Sequence, residues 1–364
     1  MNAFDAASSG FRKYKVVGKK RESSVITSFH LAPLDPADWR SFVPGQFLIL
    51  RIPAHEGDAV LRSYSLSLPP SHQGTYRITV KREAAPAPGL PSGLSSSHLH
   101  DHVDVGDVLE AQGPRGGFVL DRESSRPVVL LSGGVGLTPM IAMLHELAST
   151  GARRVHFIHA CDNGEVHALR EEVETLCASR PGLGAHFCYR EPTVADLSRA
   201  RHHSSGLISK TLLQSLLPLD DYDVYLCGPP PFMKALYEIL RSLGVGRERI
   251  AYEFFGPATV LDEAPPRETP GAAESVAEAG DVIVEFRRSG VTASWRESSK
   301  SLLAFAESCG LTPDFSCRAG VCDTCKSHLV SGSVAYFEEP LSEPGPGEVL
   351  LCCSRPRSSV VIDI

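Results

Sequence analysis

Nine residues near the end of the chain constrain it more than any other stretch: Cys317-Arg318-Ala319-Gly320-Val321-Cys322-Asp323-Thr324-Cys325. They read C-x4-C-x2-C, and a further cysteine stands at Cys352. Four thiolates at this spacing hold a 2Fe–2S cluster. Thiolates suit iron because they are soft and charged. Ala319 and Gly320 are small, so the backbone can close around a cluster and aim N–H groups at its sulfurs. Two plainer readings compete. Structural zinc usually takes two tight Cys/His pairs, whereas here three cysteines crowd together and one is remote. Ordinary buried thiols suit Cys309, but three cysteines in nine residues is not a chance pattern.

A chain of 364 residues suggests two or three domains. Its hydrophobic content of 42% is ample for packed cores. No apolar run reaches the ~18 residues of a membrane span. Met1 to Gly10 is polar and small, without the plan of a signal peptide. Ten cysteines are too few for a disulfide scaffold in a chain of this length, so a reducing cytoplasm is the expected location.

The net charge of −7 is unevenly spread. Residues 1–258 carry 27 basic and 27 acidic side chains, residues 259–280 one and five, and residues 281–364 eight and eleven. Nucleic acid is therefore not an expected partner, because phosphate binding wants clustered Lys and Arg. The acidic excess permits docking on a basic protein surface, and solubility alone also accounts for it.

Residues 1–122 read as short strands without long helical periodicity: Tyr14–Val17, Val25–Leu31, Phe47–Ile52, Tyr76–Lys81 and Val108–Gln112. An antiparallel barrel is the expected architecture. Residues 123–258 change rhythm. Apolar runs at Val128–Leu131, Val155–Ala160, His186–Tyr189 and Val224–Cys227 alternate with helical stretches near Pro139–Leu147, Glu165–Leu176, Lys210–Leu217 and Phe232–Leu243. Such alternation predicts an α/β domain on a parallel sheet, with ligands at the carboxyl ends of its strands. Residues 259–280 include Ala264-Pro265-Pro266-Arg267-Glu268-Thr269-Pro270-Gly271, the composition of an extended linker. Residues 281–364 resume with a strand at Val282–Phe286, a helix around Leu302–Ser308 stopped by Gly310, the cysteine loop and a last strand at Val360–Ile364, an α+β domain.

Four further motifs carry chemistry. Arg62-Ser63-Tyr64-Ser65 sits at a strand end. Arg62 can grip a pyrophosphate, the Tyr64 ring can lie against a flavin, and the Ser65 hydroxyl can reach a ring nitrogen. A surface arginine and a core tyrosine fit the same four letters. Ser132-Gly133-Gly134-Val135-Gly136-Leu137-Thr138-Pro139 joins a strand to a helix. Its glycines let a phosphate approach the backbone at a helix N-terminus, with Thr138 expected as N-cap and Pro139 as the first helical residue. A plain strand–helix turn is the other reading. Cys227-Gly228-Pro229-Pro230 ends another strand beside the same crevice, and Cys227 either touches a nicotinamide or simply packs. Tyr252-Glu253-Phe254-Phe255-Gly256-Pro257 is an aromatic strand closing the domain, for which core packing of Phe254 is a serious alternative.

Together these motifs, in this order and spacing, resemble the ferredoxin–NADP reductase superfamily. Tyr76-Arg77-Ile78-Thr79-Val80-Lys81-Arg82-Glu83, His98-Leu99-His100-Asp101-His102-Val103 and His156-Phe157-Ile158-His159-Ala160 are similar to the reductase part of flavohaemoglobins. The resemblance covers about residues 11–258. It implies an FAD barrel, then a nicotinamide domain. The R-x-Y-S residues and Lys81 would hold the flavin, and Gly93, Leu94, Ser95 and Ser96 would lie near its pyrophosphate. Phe255 would lie near its ring, with Tyr64, Ser65 and Cys227 at the reacting centre. Phe47 stands where relatives often have Tyr. Only about ten residues precede the barrel and hold no globin, so nitric oxide dioxygenation is not expected. The C-terminal part resembles the plant-type ferredoxin domain of oxygenase reductase components. There Cys317, Cys322, Cys325 and Cys352 match the cluster ligands. Cys353 confuses the fourth position, but Cys352-Cys353-Ser354-Arg355-Pro356 fits the family pattern if Cys352 is the ligand.

The expected protein passes electrons from NADH to FAD, to the cluster, and on to a separate acceptor such as a Rieske-type or diiron oxygenase. NADPH is less expected, because Asp162 and Glu165 follow the second strand of the sheet, where a 2′-phosphate would want a cation. A diaphorase or oxidase acting on small acceptors is the alternative of the same class. A redox-sensing iron–sulfur flavoprotein or a structural metal domain is the alternative from other classes.

Overall fold

The computed structural model describes residues 10–53, 59–84, 93–151, 153–255, 282–296, 299–311, 313–315, 320, 325–338, 340 and 343–364. The expected linker, Gly256, Pro257, Cys317 and Cys322 lie outside these residues. The chain divides into two compact units, residues 1–255 and 256–364.

The first unit opens with six antiparallel strands, β1 (Arg12–Arg21), β2 (Ile26–Pro33), β3 (Phe47–Ile52), β4 (Val60–Ser65), β5 (Tyr76–Lys81) and β6 (Val108–Arg115). Their order is β4-β3-β6-β1-β2-β5, and a bridge between Leu66 and Ile78 joins the two edges into a barrel. Period-2 alternation makes the interior. On β1, Tyr14 and Val16 are buried while Lys13 and Lys15 face solvent. They pack with Phe29, Leu48, Leu50 and Ile78.

One element departs from the expectation of strands alone: α1 (Leu94–His102) is a nine-residue helix. Its serine-rich sequence has poor helix propensity. Tertiary contacts hold it instead, with Leu99 fully buried and the Gly93 amide bonded to the Glu83 carbonyl at 3.0 Å.

The same unit continues with β7 (Val128–Gly133), α2 (Leu137–Thr150), β8 (Val155–Cys161), α3 (Arg170–Ala178), β9 (Leu183–Tyr189) and α4 (Val194–Ser198). Then follow β10 (Ser204–Ser205), α5 (Lys210–Leu216), β11 (Asp223–Gly228), α6 (Pro230–Ser242) and β12 (Ile250–Phe254). All strand pairs are parallel, in the order β10-β9-β8-β7-β11-β12. The chain winds one way from β7 through β8 and the other way through β11. The crevice at their carboxyl ends is thus a topological switch point, where such sheets bind ligands. The helix expected from Glu165 begins at Arg170, five residues later than the sequence suggests. Leu169 takes a left-handed φ of 55°, which a continuous helix does not accept.

The second unit contains β13 (Ile283–Phe286), β14 (Val291–Ser294), α7 (Leu302–Ser308), β15 (Lys326–Ser331) and β16 (Val334–Tyr336). It ends with β17 (Glu348–Leu350), β18 (Ser354–Pro356) and β19 (Val360–Ile362). Five strands form a mixed sheet, β14-β13-β19-β15-β17, and β16 pairs with β18. Helix α7 starts where Ser301 Oγ accepts the Ala304 amide at 3.1 Å and stops at Gly310, whose φ is +84°. Among the described residues, no helix is long and apolar enough to cross a membrane.

Candidate functional site

The glycine loop leaves the end of β7 through Gly134, at a φ of +53°, into a 3-10 turn over Gly134–Gly136. Helix α2 therefore begins at Leu137, one residue before Thr138. Thr138 is not the N-cap; its Oγ1 donates to the Val135 carbonyl at 3.1 Å from inside the first turn. Pro139 lies in that turn too, where its missing N–H costs no intrahelical bond. The tight turn brings the loop against the end of β11. A Cβ on Gly136 would stand 2.3 Å from the Cys227 carbonyl oxygen, and one on Gly228 would stand 3.1 Å from the Gly133 Cα. The two motifs thus share one wall beside the N-terminus of α2, where a phosphate can approach the glycine backbone closely. The Leu137 amide is itself bonded to the Gly134 and Val135 carbonyls. Gly136→Ala has no space for its methyl. We expect it to cost about 1–3 kcal/mol, as overpacking does, and to weaken NADH binding, read by titration.

Cys227 is fully enclosed in the core that α2 covers, and burial drives its thiol well above the ordinary value. Its side chain packs; its backbone carbonyl meets the glycine loop. Pro229 precedes α6, and Phe254 is buried while Phe255 is exposed just beyond β12.

On the barrel, β4 presents Arg62 and Ser63 to solvent, with Tyr64 partly buried against the core and Ser65 buried. Burial pushes the Tyr64 phenol up, so it stays neutral. Lys81, at the end of β5, pairs with Glu83 at 3.1 Å, and Phe47 is buried. Glu83 also meets the start of α1. Ser96 Oγ accepts the Glu83 amide at 3.1 Å and donates to the Gly93 carbonyl at 3.1 Å. In the same turn the hydroxyls of Ser95 and Ser97 are buried without a partner among the described residues. Unpaired buried hydroxyls beside free helix amides are what a phosphate satisfies. The residues present fit a flavin dinucleotide.

In the second unit, Cys325 leads into β15 and Cys352 follows β17. Both are buried, and the ladder pair Lys326↔Leu350 sets them side by side. The Cys352 amide donates to Cys325 Sγ at 3.4 Å, and the Gly320 amide donates to Cys352 Sγ at 3.3 Å. Amides aimed at sulfur are the outer partners that thiolate ligands use. Gly320 has a φ of +68°, and a Cβ there would meet Cys353 Sγ at 2.8 Å. The Cys353 thiol itself turns to the Leu350 carbonyl at 3.8 Å. Cys325 and Cys352, each with an amide aimed at its sulfur, suit two of a cluster's four thiolates. Cys309 is the half-buried C-cap of α7.

Sequence reasoning missed one ion cluster. Arg77 on β5 forms two 2.8 Å hydrogen bonds to Glu172 on α3, and Glu172 also meets His145 Nε2 on α2 at 2.6 Å. It ties the barrel to the parallel-sheet domain. An arginine set between the buried Tyr76 and Ile78 was the available signal. A second pair bears on the expected 2′-phosphate position: Arg190 contacts Asp162 at 3.0 Å and Glu191 at 3.4 Å.

Three family models match: an oxidoreductase FAD-binding domain over residues 13–120, an oxidoreductase NAD-binding domain over 130–238 and a 2Fe-2S iron-sulfur cluster binding domain over 284–357. Over 254 residues the chain is 44% identical to a flavohemoprotein of Bacillus thuringiensis subsp. konkukian, covering 69% of this chain and 62% of that protein. The chain thus spans less than two thirds of that curated relative. The solved flavohem-like FAD/NAD binding domain of nitric oxide dioxygenase from Vibrio cholerae O1 biovar El Tor is 38% identical. That match covers 68% of this chain and 99% of that one, with a TM-score of 0.59. The structure of phthalate dioxygenase reductase covers 98% of both chains at 24% identity and a TM-score of 0.54, a likeness of fold over nearly the full length.

Proposed function

Because the chain belongs to the FAD- and NAD-binding oxidoreductases of the ferredoxin–NADP reductase superfamily and carries a 2Fe–2S domain, we propose that it is an NADH-dependent reductase delivering electrons to a separate protein. The observation that carries this reading is the convergence of Cys325, Cys352 and the Gly320 amide in a domain that follows a flavin and nicotinamide module in one chain. The flavin, when bound, converts two-electron into one-electron chemistry, and the cluster carries single electrons.

The chain's own residues bind and align. The α2 N-terminus and Gly133–Gly136 take the nucleotide pyrophosphate, and the Cys227–Gly228 turn walls the crevice. Arg62 and the α1 turn with Ser95 and Ser96 hold the flavin phosphates, and Tyr64 and Ser65 set its ring. Phe255 covers the nicotinamide side. Hydride transfer needs alignment more than acid–base help, which agrees with neutral Tyr64 and Cys227 side chains. The acceptor of this reading is a Rieske-type or diiron oxygenase, by analogy with phthalate dioxygenase reductase. Its compartment would be the cytoplasm.

The test compares the full chain with a truncation ending near Leu261. We expect truncation to abolish NADH-dependent cytochrome c reduction and to retain ferricyanide reduction. Equal cytochrome c reduction in both would favour a diaphorase acting on small acceptors.

NADH should be preferred over NADPH. Arg190, which follows β9, is already engaged by Asp162 and Glu191. The pairs are exposed and weak in themselves, but an incoming phosphate would have to displace carboxylates of its own sign. The kcat/KM ratio should favour NADH by about tenfold or more, a difference of ~1.4 kcal/mol. Asp162→Asn should raise the NADPH value several-fold. A native ratio favouring NADPH would contradict this assignment.

A further inference from the structure

Behind the glycine loop runs a buried polar chain that the contacts described so far do not use. Ser132, the last residue before Gly133, is wholly buried, and its Oγ bonds His159 Nδ1 at 2.9 Å. His159 stands opposite Ser132 in the β7–β8 ladder and is 1% exposed. Its ring lies 4.7 Å from the ring of His167, whose Nδ1 bonds the Tyr189 hydroxyl at 2.9 Å. His159 Nε2 is enclosed and has no partner among the described residues.

That unpaired nitrogen is informative. A buried polar atom left without a partner loses its hydration and regains nothing. The loss offsets whatever the Ser132 bond contributes, so His159 is a poor choice if packing is its only task. Burial also drives its ring down to about 4 and that of His167 well below its usual value, so both stay neutral and neither supplies charge to a phosphate. What His159 does supply is a fixed direction for the Ser132 side chain, at the point where β7 gives way to the loop.

We infer that His159 is a positioning residue for the nicotinamide nucleotide, acting through Ser132 to fix the strand end from which Gly133–Gly136 departs. The inference rests on the reading of that loop as the nucleotide site. It places binding precision, not fold stability, in the Ser132–His159 bond.

The two roles separate in an anaerobic rapid-mixing experiment on the full-length holoprotein. Flavin reduction followed against NADH concentration gives an apparent Kd and a limiting rate, and thermal unfolding gives Tm. His159→Leu should raise the Kd about tenfold, leave the limiting rate within about twofold and leave Tm unchanged or higher. His159→Asn can present an amide near the place of Nδ1, and should hold the Kd within about threefold of native. Ser132→Ala deletes one oxygen, so it probes the bond even if His159→Leu does not fold. It should raise the Kd as His159→Leu does, with no further rise in the double variant. A native Kd in Ser132→Ala, or a parallel fall of limiting rate and Tm at native Kd in His159→Leu, would overturn the inference alone. A native protein whose flavin NADH does not reduce would overturn the functional reading as well.

Discussion

Cys352→Ser should remove the visible cluster absorption and about two irons per chain, and with them cytochrome c reduction by NADH. Ferricyanide reduction and flavin reduction should persist, because the flavin and nicotinamide modules occupy a different compact unit. Cys353→Ser should do none of this. The two neighbours differ in what their sulfurs meet: Cys352 Sγ accepts the Gly320 amide at 3.3 Å, while Cys353 Sγ turns to the Leu350 carbonyl. Iron analysis and the visible spectrum check both variants in one preparation. A cluster lost from Cys353→Ser and kept in Cys352→Ser would reverse the ligand assignment. Loss of flavin reduction in Cys352→Ser would contradict the modular path itself.

Much of this architecture was legible in the residues, for identifiable reasons. Strands β3 and β5 carry apolar letters bounded by turn formers, and their limits agree with Phe47–Ile52 and Tyr76–Lys81. Helix α7 is bracketed by a serine cap and a glycine stop, so its span was readable too. Helix α1 was not, because Leu94-Ser95-Ser96-Ser97 reads as loop and only buried Leu99 and Val103 draw it into a helix. Thr138 misled because it precedes a proline as an N-cap would. The turn that displaced it depends on Gly136 touching Cys227, a contact 91 positions away in the chain that no local pattern reports. The barrel-to-sheet ion cluster was hidden for the same reason, since Arg77 and Glu172 meet only when two domains close on one another.

Glu172→Gln should lower the stability of the first unit by about 3–5 kcal/mol, the usual result of leaving one buried ion without its partner. Arg77 has 7% of its side chain exposed, so water cannot replace the lost carboxylate. At 2–4 °C per kcal/mol for a unit of this size, Tm should fall by roughly 10 °C. Burial alone would push the Glu172 carboxyl up. Hydrogen bonds from His145 and Arg77 reverse that and hold it at about 2. Because its folded value lies below that of an unfolded carboxyl, its contribution is complete above about pH 5. It fades as the pH falls toward 2. The native protein should therefore lose Tm over that window faster than Glu172→Gln, measured at matched ionic strength. Parallel pH profiles would show that the pair contributes nothing. Flavin reduction by NADH should slow in the same variant, because the cluster sets the barrel against the sheet that carries the nucleotide loop.

The Lys326↔Leu350 ladder pair has a bearing on how the protein matures. It places two sulfur donors, Cys325 and Cys352, next to one another through backbone pairing. A chelator with half its donors already at the right spacing does not lose chain entropy to bring them together, so the first metal–sulfur bonds form at lower cost than on an unstructured segment. Assembly would then begin at the Cys325–Cys352 edge. A substitution that breaks the β15–β17 ladder, such as Val349→Pro, should slow reconstitution of the apoprotein by iron and sulfide more than it alters the spectrum of the finished centre.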